Sequence, residues 1–419
     1  MRDLHSKRNT LCICATVALL SGCGGLQPPM GAPGAVQQSA YRVALPHRAS
    51  SSYQLLYSFR GPHDGRDGER PVASLVNVNG TLYGTTEDGG SNDNGIVFSV
   101  TTTGTEKLLH RFQGGSDGGN PAGGLLNVNG ALYGTTVTGG GSGCSGNYGC
   151  GTVFSITPSG RETVLHRFGV GSDGAWPDAG LIDVNGTLYG TTYYGGSYNA
   201  GTIFSVTTTG TENVLYSFAG GTDGAGPEAP LLNVKGTLYG TTPYGGGTEC
   251  ESGKGCGTVF SVTMTGTEKV LHSFDGSDGE YPYDNLTNVK GDLYGTTEGG
   301  GSHGVGTVFS VTTTGKEKVL HSFGSRSDGF DPFANLINVS GKLYGATAFG
   351  GTSDGGTVFT VTTTGTEKVL YNFGGNSDGA NPEAGLTNIG ATLYGTTTYG
   401  GGSRCRRHLG CGTVFALIP

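Results

Sequence analysis

The sequence predicts an all-β fold, a seven-bladed β-propeller. The motif "LYGTT" or its variant "LYGAT" occurs seven times at spacings of 50 to 56 residues, and a "VF" or "IF" pair follows each copy. A repeat period near 50 residues is typical of propellers and solenoids. The residues between the motifs show no helical spacing, so each unit is expected to consist of strands. The seven copies begin at Leu82, Leu132, Leu188, Leu238, Leu293, Leu343 and Leu393.

Each unit contains four short runs rich in Val, Leu, Phe, Tyr and Thr, which predict four strands. In the second unit they are "GLLNV", "ALYGTT", "GTVFSIT" and "ETVLHRF". The first two are joined by Asn129-Gly130, which favours a two-residue hairpin turn, and Asn79-Gly80 and Asn185-Gly186 occupy the same place. The last two are joined by "PSG" here and by "TTG" in most units. A four-stranded antiparallel meander of this kind is a propeller blade.

The ends of the chain indicate how the ring closes. An extra fourth-strand match, "YQLLYSF" at 53–59, precedes the first unit, and the chain stops after the third strand "GTVFALIP" at 412–419. We expect 53–59 to pair with the last strand and complete the seventh blade. An open solenoid would instead need polar capping repeats, and none is visible in the sequence. The propeller domain is therefore predicted to span 53–419.

The N-terminus predicts export. A basic start precedes the apolar run "TLCICATVALL", which is too short to span a bilayer, and residues 1–22 are therefore assigned to a signal peptide. The following "LLSGC" is similar to the bacterial lipobox, so Cys23 is predicted to carry a lipid. An ordinary secretory signal is the alternative. Residues 23–52 lack periodic apolar residues and are predicted to be a flexible tether, so that the lipid would hold the protein at the outer membrane or cell surface.

Charge limits the possible partners. The formal net charge of the chain is −8, and removal of residues 1–22 makes it −10. An acidic surface without basic clusters argues against nucleic acid as a partner. No cofactor motif is present, and we expect a monomer without a bound cofactor or metal ion.

Six cysteines remain after the signal peptide and Cys23. They form three C-x5-C pairs, and each pair coincides with a six-residue insertion between the second and third strands of a unit. Such pairs in an exported protein predict disulfides, whereas a zinc site would need four ligands and a redox pair is more often C-x-x-C. The predicted pairs are Cys144–Cys150, Cys250–Cys256 and Cys405–Cys411.

Two further repeat positions carry polar residues. Every link between units contains an Asp-Gly pair, which favours an Asx-type turn, with calcium binding as the alternative. The histidines of the fourth strands lie on the outermost strand of a blade, and we expect them to be structural. The aspartates are Asp67, Asp117, Asp173, Asp223, Asp278, Asp328 and Asp378. The histidines are His110, His166, His272 and His321.

The repeat pattern "LYGTT…GG…GTVFSVTTTGTEKVL" resembles the GloVer tandem repeat of exported bacterial proteins. The resemblance covers 53–419. It implies a repeat architecture and a location at the cell surface, and it transfers no catalytic residues.

Sequence variation is concentrated at one end of the blades, in the links and the glycine-rich loops, and a binding site is expected there. The position before the "GG" of each loop is aromatic in four units, and two links add further aromatics, although such rings could instead pack beneath the loops. The predicted ligand-binding residues are Tyr194, Tyr244, Phe349, Tyr399, Trp176 and Tyr281.

Three functions are compatible with these features. The favoured one is a lipid-anchored module that binds a protein or a glycan at the cell envelope. The alternatives are a carbohydrate-active lyase or hydrolase, and a purely structural envelope protein. No recognised motif links the isolated residues His303, Arg326, Trp176 and Glu298 into a catalytic constellation.

Overall fold

The computed structural model is a seven-bladed β-propeller, as predicted. It describes residues 52–419 except 62–66, 142, 145–147, 170, 249, 251–252, 325–326, 376, 403–404 and 406–408. The predicted signal peptide, Cys23 and nearly all of the tether lie outside the described residues. The described part of the chain contains a short 3-10 turn at Gly115–Asp117. No described helix is long and apolar enough to cross a membrane.

Each blade contains strands a, b, c and d in hydrogen-bonded order. Strands a are Val76–Val78, Leu126–Val128, Ile182–Val184, Leu232–Val234, Thr287–Val289, Ile337–Val339 and Thr387–Ile389. Strands b are Thr81–Thr86, Ala131–Thr136, Thr187–Thr192, Thr237–Thr242, Asp292–Thr297, Lys342–Thr347 and Thr392–Thr397. Strands c are Ile96–Thr101, Gly149–Ile156, Thr202–Thr207, Thr258–Thr263, Thr307–Thr312, Thr357–Thr362 and Thr413–Ile418. Strands d are Glu106–Arg111, Glu162–Arg167, Glu212–Ser217, Glu268–Ser273, Glu317–Ser322, Glu367–Asn372 and Ser52–Ser58.

Strands a of neighbouring blades contact one another, so they lie at the centre of the ring. Three two-residue strands, Gly68–Glu69, Asp88–Gly89 and Gly139–Gly140, occur in the loops. Strand d of the seventh blade is the N-terminal strand, which runs antiparallel to the last strand with Ser52 opposite Ile418. Both ends of the propeller domain therefore lie in one sheet.

The glycine of the "LYGTT" motif is required by packing against the next strand of the blade. A Cβ atom added at Gly134 would lie 2.6 Å from Cζ of Phe154, which is fully buried. The other six blades show the same relationship between this glycine and the phenylalanine of strand c. The repeated Gly and Phe are thus complementary features of the blade core.

The core of the molecule lies between the blades. At each of the seven blade junctions, the Phe after strand d packs edge-to-face on the strand-c Phe of the next blade. The ring centroids are 5.0 to 5.2 Å apart and the planes cross at 67 to 74°. Because the contact is the same at all seven junctions, the ring is closed by repetition of one interface. The pairs are Phe59–Phe98, Phe112–Phe154, Phe168–Phe204, Phe218–Phe260, Phe274–Phe309, Phe323–Phe359 and Phe373–Phe415.

Candidate functional site

The b–c loops and the links between blades lie at one end of the strands, which we call the loop face. In each link, the residue directly before the repeated proline (the pre-proline residue) has a left-handed backbone, with φ between 53° and 65°. Asn, Asp and Gly tolerate this conformation, whereas bulky residues are strained in it. The seven pre-proline residues are Arg70, Asn120, Trp176, Gly226, Tyr281, Asp331 and Asn381.

The three bulky pre-proline residues stand next to the three cysteine loops. The backbone N–H of Trp176 donates to the carbonyl of Cys150 at 2.8 Å, and that of Tyr281 donates to Cys256 at 2.9 Å. Arg70 donates in the same way to Cys411 at 3.0 Å. At the other four junctions the acceptor belongs to a short loop without cysteine. We call junctions 2–3, 4–5 and 7–1 the disulfide junctions.

The cysteines are bonded in the predicted pairs. The Cα atoms of Cys144 and Cys150 are 5.3 Å apart, and the other two pairs have Cα separations of 5.0 and 5.2 Å. Each disulfide closes the inserted part of a b–c loop beside a pre-proline residue. Three disulfides indicate an extracytoplasmic location.

Junction 2–3 contains a pocket of about 320 Å³ lined by Trp176, Tyr194, Cys144 and neighbouring glycines. The rings of Trp176 and Tyr194 meet edge-to-face with centroids 4.8 Å apart, and the Tyr193 ring lies 4.4 Å from that of Tyr194. The indole N–H of Trp176 donates to the carbonyl of Gly149 at 3.4 Å. All three rings are half-buried, so they are fixed by packing and still reach the surface.

Junction 4–5 has a second aromatic group. The ring of Tyr281 lies 5.9 Å from that of Tyr244 and 6.2 Å from that of Tyr283. Tyr283 in turn lies 5.9 Å from Phe333, and its hydroxyl is 3.3 Å from the hydroxyl of Tyr244. The ammonium of Lys254 stands 5.4 Å from the centroid of the Tyr244 ring. These tyrosines thus combine flat apolar faces with polar edges.

At junction 5–6, Phe349 stacks on Phe330 with centroids 5.6 Å apart and planes at 17°. These rings and those of junctions 2–3 and 4–5 form what we call the aromatic band, which spans blades 3 to 6 on the loop face. Of the predicted ligand-binding residues, Tyr399 lies outside the band, on blade 7. The band consists of Trp176, Tyr193, Tyr194, Tyr244, Tyr281, Tyr283, Phe330, Phe333 and Phe349.

Junction 7–1 carries charged groups instead. The guanidinium of Arg70 pairs with Glu87 at 2.8 Å and with Asp88 at 3.0 Å. Glu69 and Glu87 are 2% and 8% exposed, and Asn120 donates to Asp88 at 3.3 Å. Burial, together with the Glu87 carboxylate, raises the pKa of Asp88 above its ordinary value. The loop face therefore has an aromatic side and an Arg–carboxylate side.

One blade has an acid, Asp284, at the repeat position two residues after the proline of the link. Burial raises the pKa of Asp284 to about 7, although the backbone N–H groups of Asn285 and Asn335 donate to its carboxylate. Asp284 is deep in the molecule and keeps part of its surface exposed. Around the axis, Ser74 lies 3.4 Å from Asn335, and a Cβ atom at Gly385 would overlap Asn335, so the centre is tightly filled. The corresponding residues of the other blades are Ala73, Gly123, Ala179, Ala229, Ala334 and Ala384.

The outer edge of the ring carries a group of ionisable side chains at each strand-d histidine. The strand-d histidines are not isolated, because each meets the Asp of its link and a Glu from the next blade. The aspartates accept backbone N–H groups, but the donor precedes the Asp instead of following it as in an Asx-type turn, for example Gln113 to Asp117 at 2.7 Å. Glu162 adds a second carboxylate beside Asp117. Burial and Asp117 raise the pKa of Glu162 to about 7.

Comparison with known families matches the model of the Gloeobacter/Verrucomicrobia repeat over residues 35–252 and 246–415. The chain belongs to this repeat family. A comparison with curated proteins finds no significant match.

Solved structures share the fold. Puromycin hydrolase is 10% identical with a TM-score of 0.50, covering 81% of this chain and 52% of its own. A puromycin-hydrolyzing peptidase from Mycobacterium tuberculosis is 10% identical with a TM-score of 0.48, covering 82% of this chain and 52% of its own. A periplasmic gluconolactonase from Pseudomonas aeruginosa is 14% identical with a TM-score of 0.48, covering 79% of this chain and 96% of its own. These similarities concern the propeller architecture alone.

Sequence reasoning missed Arg70, Tyr193 and Tyr283. One signal in the repeat could have found Arg70: the residue before the repeated proline becomes bulky wherever the preceding loop has a cysteine insertion. Among the residues considered for catalysis, His303 is exposed and contacts Ser302. The backbone N–H of Glu298 donates to Tyr281 at junction 4–5, and Arg326 lies outside the described residues.

Proposed function

We propose that the protein is an exported binding module whose aromatic band binds a glycan. The observation that carries this proposal is the left-handed backbone of Trp176 and Tyr281, with φ of 59° and 58°. A non-glycine residue in this conformation costs about 1–2 kcal/mol. The same repeat position holds Asn at Asn120 and Asn381, so an easier residue is available to the fold. Strain that persists where the scaffold does not need it is typical of functional sites.

The chemistry of the band suits sugars. Flat aromatic faces cover the C–H groups of a pyranose ring, and adjacent polar groups accept bonds from its hydroxyls. Asp331 supplies such a group between the phenylalanines, and burial followed by the charge of Asp354 raises its pKa to about 6. Because the rings are already packed against one another, little side-chain entropy is lost on binding. The net charge of −8 favours a neutral glycan over a polyanionic one.

The location of the protein completes the proposal. The signal sequence and Cys23 would place a lipid at the N-terminus, followed by a tether that lets the propeller extend from the membrane surface. The three disulfides suit this environment. The module would act as a monomer, and the glycan would belong to the envelope or its surroundings.

The test is a binding screen of the purified chain against neutral oligosaccharides of glucose, mannose, galactose and N-acetylglucosamine. The triple variant Tyr194→Ala, Tyr244→Ala, Phe349→Ala should lose at least tenfold in affinity, whereas Tyr399→Ala, outside the band, should bind as the wild type does. Thermal melting of each variant checks folding. Equal binding by both variants would remove the band as the site, and capture of a peptide instead of a glycan would change the ligand class.

Junction 7–1 supports a second candidate function, a carbohydrate-active enzyme. Arg70, Glu87 and Asp88 form an Arg–carboxylate group that breaks the repeat, and the pKa of Asp88 is raised mainly by burial. Such groups are typical of acid–base catalysis. Release of shortened products from the bound oligosaccharide, abolished by Asp88→Asn, would favour the enzyme over the binding module.

A further inference from the structure

The outer edge of the propeller contains one set of three side chains at every blade junction. One member comes from strand d of a blade, the second is the Asp of the following link, and the third begins strand d of the next blade. At four junctions the set is one His, one Asp and one Glu, whose ligand-type atoms all lie within 4.8 Å of one another. The four sets are His110–Asp117–Glu162, His166–Asp173–Glu212, His272–Asp278–Glu317 and His321–Asp328–Glu367.

We propose that each of these four sets binds a zinc ion that joins two neighbouring blades. Zinc accepts an imidazole nitrogen and carboxylate oxygens at about 2.0–2.2 Å and often takes a water as its fourth ligand. Tetrahedral ligand atoms are then about 3.4 Å apart. The histidine Nε2 atoms are 2.8 to 3.3 Å from the aspartate oxygens, so these two ligands are already near that spacing.

The glutamates provide a further observation. Oε1 of each of the four is buried and accepts no hydrogen bond from a described group, and the same holds for Glu106 and Glu268 at two of the junctions that have a tyrosine in place of the histidine. Those two junctions therefore differ from the four sets in the imidazole and not in the glutamate. A buried oxygen without a partner is unfavourable, since it loses its bonds to water. Each Oε1 of the four sets lies beside an imidazole nitrogen and a second carboxylate, and a cation between these three groups would bind to all of them. The four atoms belong to Glu162, Glu212, Glu317 and Glu367.

The aspartates are oriented for this role by the backbone. Gly169 donates its N–H to Asp173 at 2.7 Å, and Gln113 donates to Asp117 at the same distance. Ligands that are fixed by a second shell of hydrogen bonds bind metal more tightly. The imidazole favours zinc over calcium, which prefers an all-oxygen site.

The chain contains its own control. At the other three junctions a tyrosine replaces the histidine and donates its hydroxyl to the link Asp at 2.8 to 2.9 Å. The tyrosine hydroxyl is a poor zinc ligand at neutral pH because its pKa is ordinarily about 10. We therefore expect four zinc ions per chain rather than seven. These tyrosines are Tyr57, Tyr216 and Tyr371.

The experiment measures zinc stoichiometry on the intact purified protein after EDTA treatment, by calorimetric titration with zinc and by elemental analysis. The wild type should bind four equivalents. His110→Tyr, His166→Tyr, His272→Tyr and His321→Tyr should each lose one equivalent and remain folded, because the repeat already uses Tyr at this position. Glu162→Gln, which keeps the histidine and removes a carboxylate ligand, should also lose one. Zinc should raise the melting temperature, since it bridges two blades.

The exposed His303 provides the specificity control, and His303→Ala should leave the stoichiometry at four. Calcium at the same concentration should not compete. Absence of zinc binding, or zinc that persists in the fourfold His→Tyr variant, would overturn the proposal. A wild-type and fourfold variant of equal stoichiometry would show that surface histidines account for any zinc observed.

Discussion

Junctions 2–3 and 3–4 share the backbone conformation of the pre-proline residue but differ in its side chain. In both, the pre-proline residue has a left-handed φ and donates its N–H to the preceding b–c loop at 2.8 Å. At junction 2–3 that residue is Trp176 and its acceptor lies in a disulfide loop. At junction 3–4 it is Gly226, and a Cβ atom there would lie 2.9 Å from the ring of Tyr193. Junction 2–3 presents the ring of Trp176 at this position, whereas Gly226 at junction 3–4 leaves room for the ring of Tyr193.

This comparison separates the scaffold from the site. The left-handed turn is set by the link and its proline, because it occurs with Arg, Asn, Trp, Gly, Tyr and Asp alike. The side chain at this position is therefore free to vary without changing the fold. Bulky side chains occur only where a disulfide-closed insertion holds the acceptor carbonyl. The insertions thus act as local supports for the bulky pre-proline residues, in addition to lowering the loop entropy of the unfolded chain.

The largest effect is expected from removing one of these supports. Cys144→Ala with Cys150→Ala should lower the free energy of unfolding by about 2 kcal/mol, because the closed ring is short. The Trp176 amide should also exchange with solvent faster, since its acceptor is the carbonyl of Cys150. Denaturant unfolding and hydrogen exchange measure the two effects.

The amide of Asn381 is the matched control for this variant. It donates to Gly355, in a short loop without cysteine, at 2.9 Å. Its exchange should not change. If Trp176 and Asn381 keep the same protection in the variant, the disulfide does not support the pre-proline residue.

Junction 4–5 differs from the other six in its central acid, and pH tests this difference. The folded-state pKa of Asp284 is raised to about 7, above the ordinary value near 4. The folded state therefore binds the proton more tightly, and the stability that this provides is lost as pH rises from about 4 to 7. Asp284→Ala, which restores the residue of neighbouring blades, should be more stable than wild type at pH 8 by about 1–2 kcal/mol.

At pH 3.5 the two proteins should differ little, because the carboxyl group is protonated in both states. The difference between the two unfolding curves is the relevant measure, since Glu162 and its counterparts have raised pKa values in both proteins. A difference that is constant between pH 4 and 8 would contradict the burial of an ionisable Asp284 at the centre.

Most of the fold could be predicted because the repeat makes each signal appear seven times. The strand order, the Asn-Gly turns and the cysteine pairs follow from local spacing. The contacts between blades could not, because they join residues of different units. The edge-to-face pair Phe112–Phe154 and the set around His110 are of this kind. For the site, the sequence predicted Trp176 and Tyr281 as ligand-binding residues. Their left-handed backbone conformation could not be predicted, because it is a property of the folded link.

The smallest effect tests the strain itself. Trp176→Asn and Trp176→Ala both remove the ring, so both should lose glycan binding. They should differ in stability by about 1 kcal/mol, because Asn tolerates the left-handed conformation and Ala does not. At Asn381, where the wild-type residue is already Asn and φ is 55°, Asn381→Ala should lose a similar amount and keep its binding. Urea unfolding of the three variants gives both differences. If Asn and Ala are equal at 176 while Asn381→Ala loses stability, the cysteine loop has removed the preference for Asn at that position. The left-handed conformation of Trp176 would then carry no strain, and the main support for the aromatic band as a binding site would be lost.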